Sequence, residues 1–255
     1  MHFSRLKIAL LMTGKEILRN RIVLLLFFLI PLVFYLLTVI TTKTAPMMFQ
    51  LAAVPKSPTV LVNQREAGIV FIGLTSVALL AAFVCMFLIQ KNTPANRRLI
   101  LCGFSQTELI LAKLLVMLAV LLVVSVFIAA VSLFFLRPAH FLLMCLGFLL
   151  MGYVYGSYGL VVGSIFKKEL EGILFVVLLV NIDVGWLQNP IYYEGAQNKA
   201  VIRHLPAFFP SQVSMIGAFS DFSLWSPALK GMLYGTLLLL LAWLFFRRKT
   251  RIFSR

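Results

Sequence analysis

The chain has 255 residues, 62% of them hydrophobic and only 12% charged, with a mean hydropathy of +1.01 and a formal net charge of +15. A soluble domain carries about 45–50% apolar and about 25% charged residues, so this composition excludes a water-soluble globular protein and calls for lipid as solvent. The basic excess flanks apolar runs and forms no soluble basic domain, which sets nucleic-acid binding aside in favour of a topology signal.

Residues 1–21 read as an interfacial amphipathic helix. At about 100° per residue, Phe3, Leu6, Leu10, Gly14, Ile17 and Leu18 share one face, and Ser4, Arg5, Lys15, Glu16 and Arg19 the other. Ile8 and Met12 break the pattern on the polar side, and Lys7 on the apolar side. Such a helix lies in the headgroup plane.

Six apolar runs follow, over residues 22–42, 69–90, 109–136, 140–166, 170–187 and 228–246. Each is near or above the ~17–25 residues of a helical span, and the runs are continuous where those of a barrel alternate. Pro31 in the first predicts a kink or local unwinding. The third and fourth meet at a tight turn around Arg137 and Pro138. The fourth holds Gly147, Gly152, Gly156, Gly159 and Gly163, whose small-xxx-small spacing points to close helix packing within the subunit. The fifth, the shortest, carries Asn181 and Asp183. Asp183 is expected nearer the outer surface than the middle, where interfacial hydration explains it; the alternative is a polar contact, shared with Asn181, for a substrate leaving the pathway.

Residues 188–227 form a long outer connection, expected as a re-entrant or interfacial segment. Its Val213, Ile216 and Phe219 are spaced to lay one face on the outer leaflet. Residues 247–255 are a basic cytosolic tail. Lysines and arginines crowd before the first run, around the second loop, after the fourth run and in this tail, which places both termini in the cytosol. Trp186, Tyr192, Tyr193 and Trp225 then gather at the outer surface. No cleavable signal is expected, because the first apolar run exceeds the ~7–15 residues of a signal-peptide core. Cys85, Cys102 and Cys145 have neither metal-binding nor redox spacing.

One polar interruption stands out: NTPANRRLILCGFSQTEL, residues 92–109. Thr93 can cap a helix that has Pro94 at its first position, and Gly103 can end it in the left-handed conformation. Ser105 to Glu108 then fits a capping box for the third span. The sequence specifies a stop, a short independent helix over residues 94–102, and a new start. On the cytosolic side, Arg97 and Arg98 are exposed, and Leu99, Ile100 and Leu101 are available to dock on a soluble partner.

Known catalytic motifs do not fit. At Gly14-Lys15 the first phosphate-loop glycine is replaced by Ala9, and Glu16 stands where Ser or Thr is needed. There is no His-Glu-x-x-His, no Gly-x-Ser-x-Gly and no paired carboxylate within a span. Energy must come from a separate subunit or an ion gradient. An ion-coupled carrier and an intramembrane enzyme remain as rival classes.

The basic N-terminal helix, the six spans, the short helix between spans two and three, and GFSQTELILAKLL opening span three resemble the permeases of ABC exporters of the type 2 class. Gly103, Phe104, Ser105, Glu108 and Lys113 carry the motif; the acidic, glycine-containing stretch that often precedes it is replaced by QKNTPANRR. The resemblance implies an all-α polytopic membrane protein of one domain, with six transmembrane helices, an N-terminal interfacial helix and a short cytosolic coupling helix. It implies that Arg97, Arg98, Leu99, Ile100, Leu101, Ser105 and Glu108 couple to a cytosolic ABC ATPase, which would carry the ATP and magnesium, with no cofactor in this chain. It further implies a second permease copy or homologue, and a conduit bordered by spans one, two and five, with Thr75, Ser76, Asn181 and Asp183 as wall residues. Nearly uncharged walls suit a hydrophobic or amphipathic substrate such as a lipid, a drug or antibiotic, or a peptide. The expected location is the cell membrane.

Overall fold

Apolar runs bounded by polar caps form the helices that their hydropathy predicts. The structure, a computed structural model, describes residues 3–19, 21–55, 57–90, 98–99, 102–166 and 168–251. Helix α1 (Phe3–Arg19) leads into α2 (Arg21–Thr41), which continues through Pro31. The unwinding expected there is not seen: proline forfeits one ladder bond and the helix resumes on either side.

An antiparallel hairpin comes next, β1 (Pro46–Gln50) and β2 (Thr59–Asn63), with Met47 opposite Val62 and Phe49 opposite Val60. Alternation along each strand turns Phe49 and Val62 inward and Met48 and Leu61 outward. The all-α polytopic expectation holds in outline, the described residues being mostly helical, and this short hairpin is an addition to it. These residues are too few for a span, and their β-branched and apolar alternation suits a half-buried strand.

The remaining elements are α3 (Gln64–Gln90), α4 (Gln106–Ser132), α5 (Phe141–Ile165) and α6 (Glu169–Val180). Helix α6 runs on into a π-helical turn, Asn181–Leu187. Three short helices follow, α7 (Pro190–Gly195), α8 (Lys199–Arg203) and α9 (Phe208–Phe219), before α10 (Trp225–Arg251) closes the chain. Among the described residues, five helical segments are long and apolar enough to cross a membrane: Gln64–Gln90, Glu108–Ser132, Phe141–Ile165, Glu169–Leu187 and Trp225–Phe246. The first expected span falls on α2, Arg21–Thr41, an apolar helix of 21 residues.

Helices α3 and α5 form the centre, with α2, α4, α6 and α10 around them. Glycine makes the central contact possible. A Cβ on Gly159 would press into the Ala82 carbonyl, and one on Gly163 would lie 2.7 Å from the Met86 carbonyl oxygen. The packing role expected of this stripe is what the structure shows. The side chains of Tyr35, Leu74, Phe148 and Tyr155 fill the space between helices, and the Tyr35 hydroxyl donates to the Ile128 carbonyl at 3.2 Å.

Helix α9 departs from expectation. It does not lay one face on a surface: Pro210 to Ala218 are all buried. It packs on α5, where Gly147 and Gly217 have no side chains to hold the two backbones apart. Its last carbonyls are capped from outside, since the amides of Ala139 and His140 donate to Ala218 and Gly217 at 2.8 Å. Together α7, α9 and the hairpin close one end of the bundle. The Gln50 amide donates to the Glu194 carboxylate at 2.9 Å, and the Ala53 amide to the Gln212 side chain at 3.4 Å. Of the four aromatics expected at that surface, Trp186, Tyr192 and Trp225 are exposed, while Tyr193 is buried against Phe208.

Candidate functional site

The first predicted site lies at the end of the bundle away from the hairpin. Gly103 adopts φ = 87°, and the Phe104 amide donates to the Leu99 carbonyl at 3.0 Å, the long bond of a Schellman stop. One residue on, the capping box is complete. The Glu108 amide donates to Ser105 Oγ at 3.2 Å, and the Ser105 amide donates to Glu108 Oε2 at 3.1 Å. Ser105 and Glu108 therefore hold the start of α4. Arg98 is exposed, and Leu99 is half-buried beside Phe104, Leu6, Ala9 and Leu109. Thr93, Pro94, Arg97, Ile100 and Leu101 lie outside the described residues.

Helix α1 is part of this assembly. Leu6, Ala9 and Leu10 seal it onto α4 at Leu109 and Ala112, and the Arg5 guanidinium donates to the Gly103 carbonyl. Ile8, Leu11, Met12 and Leu18 stay exposed on its other side. Sequence periodicity puts Ile8 and Met12 on the polar side and gives no sign that α1 fastens the stop itself. Lys113, by sequence one of the cytosolic loop charges, is only 3% exposed. Its ammonium donates to the Leu88 carbonyl at 2.7 Å and lies 5.7 Å from the centre of the Phe246 ring. A cation at the C-terminal end of α3 is favoured by the helix dipole, so Lys113 ties the segment after the stop to the central helix.

The second site is a groove of about 610 Å³ between α2, α3, the π-helical turn and the start of α7. Thr75 and Asn181 both line it. Ser76 does not. It is buried, and its hydroxyl donates to the Ile72 carbonyl at 2.8 Å. Neighbouring helical residues point about 100° apart, so only one of the pair faces the groove.

Asp183 corrects both expectations made for it. It is 4% exposed, which rules out interfacial hydration, and the groove is lined by Asn181 and Gly185 on either side of it without Asp183 itself. Its Oδ2 accepts from the Tyr155 hydroxyl on α5 and from the Ala207 amide at the start of α9, the latter at 3.0 Å. Its Oδ1 accepts from Gln188 Nε2 at 3.1 Å. A carboxylate buried among apolar helices is tolerated when donors surround it, and here they come from three elements. The π-helical turn shifts the register of α6 by a residue, and the Gln188 amide reaches back to the Asp183 carbonyl at 3.0 Å. Asn181 takes a different direction: it is exposed and donates to the Val177 carbonyl at 2.8 Å.

Helices of this length and apolarity define a multi-pass membrane protein. A clamped helical stop lies at one end, and a largely apolar groove opens at the other. A family model described as ABC-2 family transporter protein matches residues 40–245, and the chain belongs to that family. It is a membrane-spanning permease component of an ABC transporter, a class that is not itself catalytic and that works with ABC ATPase subunits. Comparison with curated proteins gives no match.

Proposed function

We propose that this chain is one half of an ATP-driven exporter, paired with a second copy or a homologue to enclose a conduit. Helix α2 would supply the sixth crossing, since its 21 residues extend about 31 Å, close to the thickness of a bilayer core. Both termini would lie in the cytosol, in the cell membrane. The stop at Arg98–Phe104 and the helix expected from the sequence over residues 94–102 would enter a cleft on the ATPase. ATP binding would draw the ATPases together, push on this element and reorient the conduit.

The set of hydrogen bonds that closes that stop is the observation that carries the proposal. A loose connector would absorb a push. This one is closed by a backbone bond, pinned by Arg5, and continued at once into α4 through the Ser105–Glu108 box. Lys113 then links α4 to the end of α3, whose opposite half lines the groove. Displacement at residue 98 has a covalent and hydrogen-bonded route to Thr75. Replacing Arg97 and Arg98 together by glutamate is expected to cut co-purification of the ATPase at least tenfold while leaving the permease in the membrane. Undiminished co-purification would remove the coupling role from this element.

A further inference from the structure

Resting on the reading of the groove as part of the conduit, we propose that it binds an anionic amphiphile, a lipid-like molecule whose charged head stays at the rim and whose chain runs down the wall. The groove is long. Gln64 at its rim and Leu79 at its depth are fifteen residues apart on α3, a rise of about 22 Å, more than the ~15 Å half-thickness of a bilayer core.

Its hydrogen-bonding capacity is graded along that length. At depth, the donors are spent on their own helices. The Thr38 hydroxyl donates to the Phe34 carbonyl at 2.8 Å and the Thr75 hydroxyl to the Phe71 carbonyl at 2.9 Å; Asn181 commits an amide hydrogen to Val177. Phe34, Ile72 and Leu79 complete an apolar wall there. A head that must accept hydrogen bonds gains little from such a wall, whereas an acyl chain loses nothing in it.

The rim differs. Lys43 is exposed and lines the opening, with the side chains of Gln64 and Asn189 beside it. Arg65 adds a second cation at the edge, its Nε donating to the Thr42 carbonyl at 3.1 Å. Among the described residues the lining contains this one ammonium and no carboxylate. An anionic head meets an ammonium there, and a cationic head meets repulsion without compensation. Gly185 lines the groove, and a Cβ on it would meet nothing closer than 3.7 Å, so the backbone there accepts a side chain.

The test titrates purified full-length permease with phosphatidylglycerol, phosphatidylcholine and glycerol 3-phosphate, with bound species counted by native mass spectrometry. Phosphatidylglycerol is expected to bind about tenfold tighter than phosphatidylcholine. Lys43→Glu should abolish that preference, and Lys43→Arg should keep it. Gly185→Leu should weaken both lipids without changing the melting temperature. Equal binding of the two lipids, indifference to Lys43→Glu, or glycerol 3-phosphate binding as tightly as the lipid would each overturn the proposal. So would efficient disulfide formation between two copies carrying Asn181→Cys, because a second copy would then fill the groove. Coupling to an ATPase is scored separately. Intact coupling without lipid preference overturns this inference alone, whereas a Lys43-dependent preference in a chain that binds no ATPase supports the site and counts against the coupled exporter.

Discussion

Gly159→Leu is expected to lower the melting temperature by on the order of 10 °C. Helices α3 and α5 touch backbone to backbone at Gly159 and again four residues on at Gly163. A Cβ at 159 would meet the carbonyl oxygen, carbonyl carbon and Cα of Ala82, none of which can swing aside as a flexible side chain can. The two central helices would have to separate, opening voids along a core that includes Leu74, Val77 and Tyr155. Overpacking of this kind costs about 3 kcal/mol. For a protein of this size that is on the order of 10 °C in melting temperature. Gly195→Leu is the control, because a Cβ there would meet nothing within 4 Å, and it should melt like the parent. Thermal unfolding of the two purified variants in one detergent checks this. A Gly159→Leu protein that melts normally would mean the α3–α5 contact is not the centre of the fold.

Asp183 carries the second large effect. Asp183→Leu strands the Tyr155 hydroxyl and the Ala207 backbone amide in an apolar interior and leaves Gln188 Nε2 with the Ile202 carbonyl alone. At about 1–3 kcal/mol for each unsatisfied buried group, partial relaxation leaves a loss of about 3–5 kcal/mol. Asp183→Asn keeps one oxygen for Tyr155 and Ala207 but turns an NH₂ toward Gln188, a donor facing a donor, for about 1–2 kcal/mol. The damage should be local at first. Ala207 opens α9, so hydrogen exchange over residues 208–219 should accelerate before the rest of the chain unfolds. An Asp183→Leu variant with unchanged stability and unchanged exchange in α9 would show that this network does not hold the helix.

Local signals are the ones legible in the sequence. The stop at Gly103 and the box from Ser105 to Glu108 depend on residues within six positions of each other, and both form. The end of α3 and the starts of α5 and α6 follow from where apolar residues give way to Gln90, His140 and Glu169, while α3 begins at Gln64, five residues before its apolar run. What escapes depends on distant partners. The burial of Asp183 is set by Tyr155 and Ala207, more than twenty residues away on either side. The spacing of Val213, Ile216 and Phe219 suggests one wet face on α9, yet Ser211, Gln212 and Ser214 are buried as well, the first with its hydroxyl returned to the Phe208 carbonyl at 2.8 Å. The hairpin is hard to see because each strand alternates over only five residues between two apolar helices. Thr75 and Ser76 are equivalent in sequence, and only the placement of α2 and α6 decides which of them meets the groove.

The coupling claim has a built-in probe. Cys102 is exposed one residue before Gly103, while Cys85 is buried and Cys145 half-buried. With the permease and its ATPase together in the membrane, a short bifunctional thiol reagent should join Cys102 to a cysteine placed in the ATPase cleft, and Cys102→Ser should abolish the product. Labelling of Cys102 by a membrane-impermeant maleimide from outside intact cells, with no cross-link to the ATPase, would contradict the account.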